Sequence, residues 1–227
     1  MDAELQTSMF NYYNKKAPGH EELYTYETEP VSTPDHQAYF DEIKVLADLT
    51  GSIIRGKIID IGCGTGFWLP YYYQSCNSIY LFDQSLDMIS ACRTKAESLS
   101  ILDRCSFLAG DFWNFRFNQS FFDSALISFF FSHIPAYFEY KFITRLLGIL
   151  KEKGTFLILD SVWNKERKKT RNKEGNQQHI LEDGTKYDIY KRYFSGADFR
   201  LMKKKYNIQL TVLFTGNFFI AARGVAL

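Results

Sequence analysis

The chain combines an acidic residue at the end of an apolar segment with a run of alternating glycines, in residues 58–66 (IIDIGCGTG). Glycine tolerates positive φ and lets a ligand approach the backbone closely. A glycine-rich turn between a buried strand and a helix is where doubly wound α/β folds bind nucleotide-like molecules. A dinucleotide site would need G-x-G-x-x-G. The spacing here is G-x-G-x-G, with Phe67 where the third glycine of that motif would stand.

A second apolar segment, residues 78–82, also ends in an acid, Asp83. A carboxylate at the tip of a second strand can accept both hydrogen bonds of a ribose diol. Either acid by itself could be a helix cap or a surface charge. Because Asp60 and Asp83 each end a strand, the pair favours a cofactor site.

This pattern resembles the first motif of the class I S-adenosylmethionine-dependent methyltransferases. The resemblance implies that the turn packs against the methionine half of the cofactor and that the preceding acid helps to hold its amino group. Cys63 is expected to fill the turn as a small apolar side chain. The residues expected at the cofactor are Asp60, Gly62, Cys63, Gly64, Gly66, Asp83, Gln84, Met88, Asp111, Phe112, Trp113 and Ser128.

Asp111 follows the third predicted strand. The resemblance implies that it accepts a hydrogen bond from the exocyclic amine of adenine, and that Phe112 or Trp113 packs on the adenine ring. The alternative is that Asp111 caps the loop that follows it and that both rings belong to the core.

The methyl acceptor is expected at the carboxyl end of the fourth predicted strand. Residues 128–135 read SFFFSHIP there. Family members that methylate the amino groups of adenine, cytosine or glutamine carry an Asn/Asp-Pro-Pro-Tyr-like motif at this place. Its absence argues against methylation of bases and peptide amides. The run looks instead like that of small-molecule members, the relatives of quinone-biosynthesis methyltransferases.

His133 is the group in this segment that could remove a proton near neutral pH, which makes it the candidate catalytic residue. The alternative is that it hydrogen-bonds the backbone at the start of a helix. A strong base is not required when the acceptor is a thiolate, a phenolate or a free amine, because proximity and alignment supply much of the acceleration.

We predict an N-terminal aromatic arm or lid over residues 1–34 and a single methyltransferase domain over 35–227. An arm that packs on the surface by its aromatic side chains is the alternative to a lid. Lys191 or Arg192 could contact the acceptor from a predicted extended segment, 187–194. The candidates for the lid are Tyr12, Tyr13, His20, Tyr24 and Tyr26, with Tyr13 the best of them.

Apolar periodicity predicts alternating strands and helices, and hence an α/β fold with a mostly parallel, Rossmann-like sheet. The predicted strands are 57–61, 79–82, 105–109, 122–130 and 154–160. The predicted helices are 7–16, 35–49 (ending before Gly51), 67–75, 85–98, 136–150 and 195–205. A final antiparallel hairpin is expected over 209–214 and 218–223. The resemblance implies seven strands in the order 3-2-1-4-5-7-6.

Composition excludes several classes of protein. A net charge of +1 over 227 residues gives no electrostatic case for nucleic acid. The basic run 165–173 is expected to be a solvated loop, although it could guide an acidic substrate or RNA. We expect neither a membrane-spanning segment nor a secretory leader, because no apolar run is long enough and residues 1–4 give no basic start to an apolar stretch. Four scattered cysteines without a CxxC pair favour a cytoplasmic protein without a metal site.

The resemblance therefore implies an enzyme that transfers a methyl group from S-adenosylmethionine to a small, aromatic or apolar acceptor by direct displacement, as a monomer or homodimer. An RNA or protein methyltransferase is one alternative. A cofactor-binding scaffold without catalysis is the other, because a fold does not settle function.

Overall fold

The computed structural model, which describes residues 3–16 and 36–226, contains a seven-stranded sheet and a separate two-stranded sheet. The helices are α1 (Ala3–Lys16), α2 (His36–Ile53), α3 (Leu69–Tyr72), α4 (Leu86–Ser98), α5 (Glu139–Ile149), α6 (Lys165–Thr170) and α7 (Gly196–Tyr206). The strands are β1 (Gly56–Ile61), β2 (Cys76–Asp83), β3 (Cys105–Ala109), β4 (Phe122–Ser128), β5 (Leu150–Ser161), β6 (Glu174–Ile180), β7 (Lys186–Arg192), β8 (Gln209–Thr215) and β9 (Phe219–Val225).

The large sheet has the order β3-β2-β1-β4-β5-β9-β8. Its first five strands are parallel, and β9 runs antiparallel to both β5 and β8. The predicted fold class and strand order are confirmed. The C-terminal hairpin is numbered β8–β9 only because another hairpin, β6–β7, precedes it in the chain.

The large sheet separates two apolar layers, because successive strand residues point to opposite faces. Ile59 of β1 belongs to the layer that contains Phe142 of α5. Its neighbour Ile58 belongs to the other layer, with Leu46 of α2. All four side chains are completely buried, so β1 is covered on both faces, as a central parallel strand should be.

Two predicted boundaries are wrong for reasons of tertiary contact. Helix α2 runs past Gly51 to Ile53, and the glycine is needed there because a Cβ would lie 2.8 Å from the carbonyl oxygen of Tyr71. Strand β4 ends at Ser128 and not at residue 130, because Phe129 adopts a left-handed φ of +53°.

The expected loop is wrong for most of the basic run, because residues 165–170 are helical. Helix α6 begins after Asn164, whose Oδ1 accepts a hydrogen bond from the Arg167 backbone N–H at 2.9 Å. Strand β6 follows at Glu174 and pairs with β7. Its sequence, EGNQQHI, has a single large apolar residue, so apolar periodicity could not predict it.

Helix α1 packs on the β6–β7 hairpin, and together they form what we call the accessory layer. A small apolar cluster joins them through Met9 and Tyr12 of α1 and Ile189 and Tyr190 of β7. The backbone N–H of Asp188 also donates to Ser8 Oγ of α1 at 2.9 Å. The predicted N-terminal arm is therefore helical over its described part and is held by β7.

Helix α2 is tied to the C-terminal hairpin by a single buried carboxylate. Glu42 accepts hydrogen bonds from the backbone N–H groups of Asn217, Phe218 and Phe219, at 2.6, 3.0 and 3.0 Å. These three donors lie in the β8–β9 turn and at the start of β9, so the buried Glu42 carboxylate satisfies three backbone N–H groups of one turn.

Replacing Glu42 with alanine should therefore lower the free energy of unfolding by about 2–3 kcal/mol, because a hydrogen bond to a charged group contributes about 1.5–3 kcal/mol. The melting temperature should fall by about 4–12 °C, at about 2–4 °C per kcal/mol for a chain of this size. Thermal unfolding followed by circular dichroism measures this change. Glu97→Ala, at an exposed position of α4, is the control. Equal melting temperatures for the two variants would contradict the anchoring role.

Candidate functional site

A cavity of about 1610 Å³ lies at the carboxyl edge of the large sheet, beneath the accessory layer. Its walls come from the segments that follow β1, β2, β3 and β4, and from α1, α6, β6 and β7. Open α/β sheets bind their ligands at this edge. The cavity is therefore the candidate functional site.

The glycine turn after β1 forms one wall. Gly62, Gly64 and Gly66 have φ values of +73°, +54° and +81°, a region that side chains other than glycine rarely adopt. A Cβ on Gly62 would also lie 2.6 Å from Cδ2 of Phe130. The turn thus needs glycine both for its conformation and for the contact with Phe130.

Asp83, at the end of β2, stabilises this turn through a hydrogen bond with its backbone. Its Oδ2 accepts a hydrogen bond from the Gly64 backbone N–H at 3.0 Å, and its Oδ1 accepts one from the Ser85 backbone N–H at 2.9 Å. Burial raises the pKa of the Asp83 carboxyl, although both backbone donors oppose that shift. Asp83, Gln84 and Met88 all line the cavity.

Asp60 has an unusual environment at the end of β1. It is completely buried, and its Oδ2 accepts a hydrogen bond from the Tyr72 hydroxyl at 2.9 Å. Its Oδ1 has no hydrogen-bond partner among the residues that the structure describes. Burial raises the pKa of this carboxyl to about 7. A buried oxygen without a donor, next to the glycine turn, is suited to a cationic group such as an ammonium.

Asp111 lies at the surface after β3 and lines the cavity. Its Oδ1 accepts from the Trp113 backbone N–H at 3.1 Å and its Oδ2 from Asn114 Nδ2 at 2.5 Å. Asp111 therefore caps its own loop, as the alternative interpretation of the sequence stated. Phe112 is 3% exposed and belongs to the core, whereas Trp113 is half-buried.

The wall opposite the glycine turn begins at Ser128, which ends β4. Phe129 follows in a left-handed conformation, and its backbone N–H donates to the carbonyl oxygen of Leu159 at 2.8 Å. A positive φ is strained for a bulky residue and tends to occur at functional sites. The change of direction brings Phe130 onto Gly62.

His133 joins this wall to the accessory layer. Its Nδ1 lies 2.8 Å from the carbonyl oxygen of Tyr190 in β7, and its Nε2 lies 2.7 Å from the Tyr13 hydroxyl in α1. His133 therefore contacts the backbone, as its structural alternative required, and lines the cavity as well. Tyr13 and His133 are 120 residues apart in the sequence.

A fourth acid at this edge of the sheet, Asp160, was missed. It is completely buried at the end of β5, and accepts hydrogen bonds from the backbone N–H groups of Ser132 and Ser161, both at 2.8 Å. Lys191 Nζ lies 3.5 Å from Asp160 Oδ1 and donates to Ser132 Oγ at 2.7 Å. The signal that could have found Asp160 is the one used for the two predicted cofactor acids, an apolar strand that ends in an acid.

The structure brings most of the predicted site residues into one cavity. Asp60 and Gly66 lie behind its wall. The lid candidates His20, Tyr24 and Tyr26 lie outside the described residues. The predicted residues that line the cavity are Tyr12, Tyr13, Gly62, Cys63, Gly64, Asp83, Gln84, Met88, Asp111, Phe112, Trp113, Ser128, His133 and Lys191.

A family model described as a methyltransferase domain matches residues 58–154. That segment contains the glycine turn, Asp83, Asp111 and His133, and runs from β1 into β5. The chain therefore contains a methyltransferase domain. This confirms the resemblance, the enzyme class and S-adenosylmethionine as the cofactor of that class.

Several solved structures share the fold of this methyltransferase, whereas no curated protein sequence matches it significantly. A DhpI–SAM–HEP complex is 18% identical over 99% of both chains, with a TM-score of 0.78. A SAM-dependent methyltransferase from Aquifex aeolicus is 18% identical over 93% of this chain and 98% of its own, with a TM-score of 0.60. An O-methyltransferase family 2 protein from Planctomyces limnophilus, in complex with apigenin, is 15% identical over all of this chain and 62% of its own, with a TM-score of 0.61.

The described parts of the chain, 3–16 and 36–226, contain no helix that is both long enough and apolar enough to cross a membrane. They also contain no group of three or more His, Cys, Asp or Glu side chains that could hold a metal ion.

Asp60 should make the stability of the cofactor-free methyltransferase depend on pH. Its pKa is about 7 in the folded protein and about 3.9 in an unfolded chain. Folding therefore favours the protonated carboxyl, and this stabilisation is lost as the pH rises from about 4 through about 7. The loss should reach up to about 4 kcal/mol, at about 1.4 kcal/mol per pKa unit.

Asp60→Asn should remove this dependence. Urea unfolding of both proteins at several pH values in that range measures it, because the difference between the two curves isolates Asp60 from the other acids. A difference that stays constant over the range would show that Asp60 ionises normally.

Proposed function

We propose that this methyltransferase uses S-adenosylmethionine to methylate a small molecule with an aromatic or apolar body, enclosed between the sheet edge and the accessory layer. The observation that carries the proposal is the single cavity that joins the glycine turn at one end to His133 and Lys191 at the other. Cofactor and acceptor could therefore lie side by side in it.

The residues at the first end fit the cofactor. Gly62 and Gly64 leave the backbone open towards its methionine part. The carboxylate of Asp60, buried next to the turn with one oxygen unsatisfied, would attract the ammonium group electrostatically from behind the wall. The remaining lone pairs of Asp83 would accept from the ribose hydroxyls, and Asp111 would meet the adenine. When bound, the cofactor supplies a methyl group activated by a positively charged sulfur.

The other end of the cavity has walls of mixed character. Trp113, Phe138 and Ile189 offer apolar surface, whereas His133 and Lys191 present polar groups. A flat apolar body that carries one polar, nucleophilic group would match both. The similar proteins described as complexes with HEP and with apigenin are consistent with a small ligand in this fold.

The basic run gives little support to an RNA or protein acceptor, because several of its cations are engaged locally. Lys169 pairs with Glu166 at 2.5 Å, and Lys173 with Asp198 at 2.7 Å. The guanidinium of Arg167 lies 4.7 Å from the ring centre of Tyr193, on the cavity side. Salt-dependent binding of RNA would nevertheless contradict a small acceptor.

Calorimetric titration with S-adenosylhomocysteine, with NAD as the control ligand, tests the cofactor site. Micromolar affinity for S-adenosylhomocysteine alone is expected. Transfer of a labelled methyl group to a panel of small phenols, amines and thiols then tests the acceptor class. Binding without transfer to any small acceptor would favour the scaffold alternative.

Replacing Asp83 with alanine should weaken the binding of S-adenosylhomocysteine about 10- to 150-fold, because a hydrogen bond to a charged group contributes about 1.5–3 kcal/mol. Asp87→Ala, an exposed acid in the first turn of α4, is the matched control and should bind normally. Calorimetric titration of the wild type, Asp83→Ala and Asp87→Ala with S-adenosylhomocysteine measures the three affinities. Unchanged affinity in Asp83→Ala would remove Asp83 from the ribose site.

Binding of S-adenosylhomocysteine near pH 7 should release protons. The pKa of Asp60 is about 7 in the cofactor-free protein, and a nearby ammonium would favour its ionised form. The measured binding enthalpy should then vary with the ionisation enthalpy of the buffer. In Asp60→Asn this variation should disappear. An undiminished variation in that variant would mean that the ammonium binds elsewhere.

A further inference from the structure

We propose that Tyr13 and His133 form a proton relay, in which the Tyr13 hydroxyl receives the proton of the acceptor and passes its own to His133. This inference rests on the proposed function and extends it in two respects. It makes Tyr13, carried by α1, a catalytic residue. It also predicts that the acceptor carries an O–H or N–H group when it binds.

The hydrogen bonds of His133 define its protonation. A backbone carbonyl can only accept, so Nδ1, 2.8 Å from the Tyr190 oxygen, must carry a proton. In the neutral imidazole Nε2 is then an acceptor with one lone pair. The Tyr13 hydroxyl, at 2.7 Å, donates to that lone pair. Neutral His133 is thus held in the tautomer that can take a proton at Nε2.

The same geometry blocks direct use of His133 as the base. Because Tyr13 already occupies the Nε2 lone pair, an acceptor in the cavity cannot donate to it as well. A phenolic oxygen, however, accepts hydrogen bonds while it donates one. Tyr13 lines the cavity. In the relay its oxygen is therefore the atom that accepts the O–H or N–H of the acceptor.

The step balances in atoms and charge. The acceptor lone pair forms the new bond to the methyl carbon, and the electron pair of the breaking C–S bond stays on sulfur. The acceptor proton moves to Tyr13 Oη while the Tyr13 proton moves to His133 Nε2. The positive charge lost from sulfur thus appears on the His133 imidazolium, which still donates from Nδ1 to Tyr190. The excess proton leaves to water when the cavity opens.

The charged neighbours of the relay are compatible with an imidazolium. Two cations of β7 flank the relay. Lys191 donates to Ser132, the residue before His133, and Arg192 donates to the carbonyl oxygen of Ile134, the residue after it. The buried carboxylate of Asp160 lies 3.5 Å from Lys191 Nζ and offsets its charge. Arg192 is likewise paired with a carboxylate, that of Glu139, at 2.8 Å, so both cations beside His133 are compensated.

The relay also makes proton transfer depend on the closure of the cavity by α1. Tyr13 reaches His133 only because α1 is docked on the hairpin, where the Tyr12 ring packs edge-on against His179, with 5.4 Å between the ring centres. Tyr190 takes part twice, as a member of the cluster with α1 and as the acceptor for Nδ1. The Tyr13–His133 relay therefore forms only when the accessory layer covers the cavity and excludes water.

Nitrogen NMR of ¹⁵N-histidine-labelled protein tests the relay without an acceptor. The His133 resonances are assigned from their loss in His133→Asn. In the wild type at about pH 8, Nδ1 should be the protonated nitrogen and Nε2 the unprotonated one. Tyr13→Phe keeps the ring but removes the donor, and should shift the Nε2 resonance selectively. Tyr137→Phe, at a tyrosine that is 72% exposed, should shift neither nitrogen.

Kinetics with two phenols tests the catalytic role. At about pH 8 para-cresol is mostly protonated, because its pKa is near the value of about 10 for tyrosine, whereas para-nitrophenol is mostly ionised. Tyr13→Phe and His133→Asn should lower kcat/KM for para-cresol by about 10²–10⁴, the usual contribution of a general base. Neither should change the value for para-nitrophenol by more than about threefold. Tyr137→Phe should match the wild type on both.

The outcomes separate the relay from the proposed function. An Nε2–H tautomer of His133 in the wild type, or equal losses on both phenols, would overturn the relay while leaving methyl transfer intact. Failure to bind S-adenosylhomocysteine would overturn the proposed function itself. If the wild type methylates neither phenol, the NMR result decides, and an Nε2 resonance that is unchanged in Tyr13→Phe overturns the relay.

Discussion

The close approach of Phe130 to Gly62 is the constraint on which the site depends. Strands β1 and β4 are parallel neighbours, with Ile61 opposite Ile127, so the turns that follow them must meet at the carboxyl edge. Gly62 provides the space, since a Cβ there would lie 2.6 Å from the Phe130 ring. The cofactor wall and the acceptor wall thus share one boundary, which keeps the two ends of the cavity adjacent.

Three acids end strands at this edge, and their partners give them different properties. Backbone N–H groups donate to both oxygens of Asp83 and of Asp160. Asp60 receives only the Tyr72 hydroxyl from the described residues, and its pKa rises to about 7. A buried carboxylate without enough donors is costly to ionise. Asp60 is therefore the acid whose charge depends most on what binds beside it.

The accessory layer connects two segments that are far apart in the sequence. Helix α1 and the β6–β7 hairpin share a small apolar cluster, and both contact His133, through Tyr13 and Tyr190. The residues that close the cavity are therefore also those that hold the imidazole. A substitution that weakens the packing of α1 would therefore both open the cavity and release the His133 imidazole.

The sequence by itself determined the alternation of strands and helices, the glycine turn and the acids that follow β1, β2 and β3. These features are local, because periodicity and turn chemistry act over a few residues. Tertiary structure alone decided that α2 continues through Gly51, that Phe129 turns left-handed, and that the polar strand β6 pairs with β7. It also decided that Tyr13 meets His133, because a contact across 120 residues leaves no pattern in either segment.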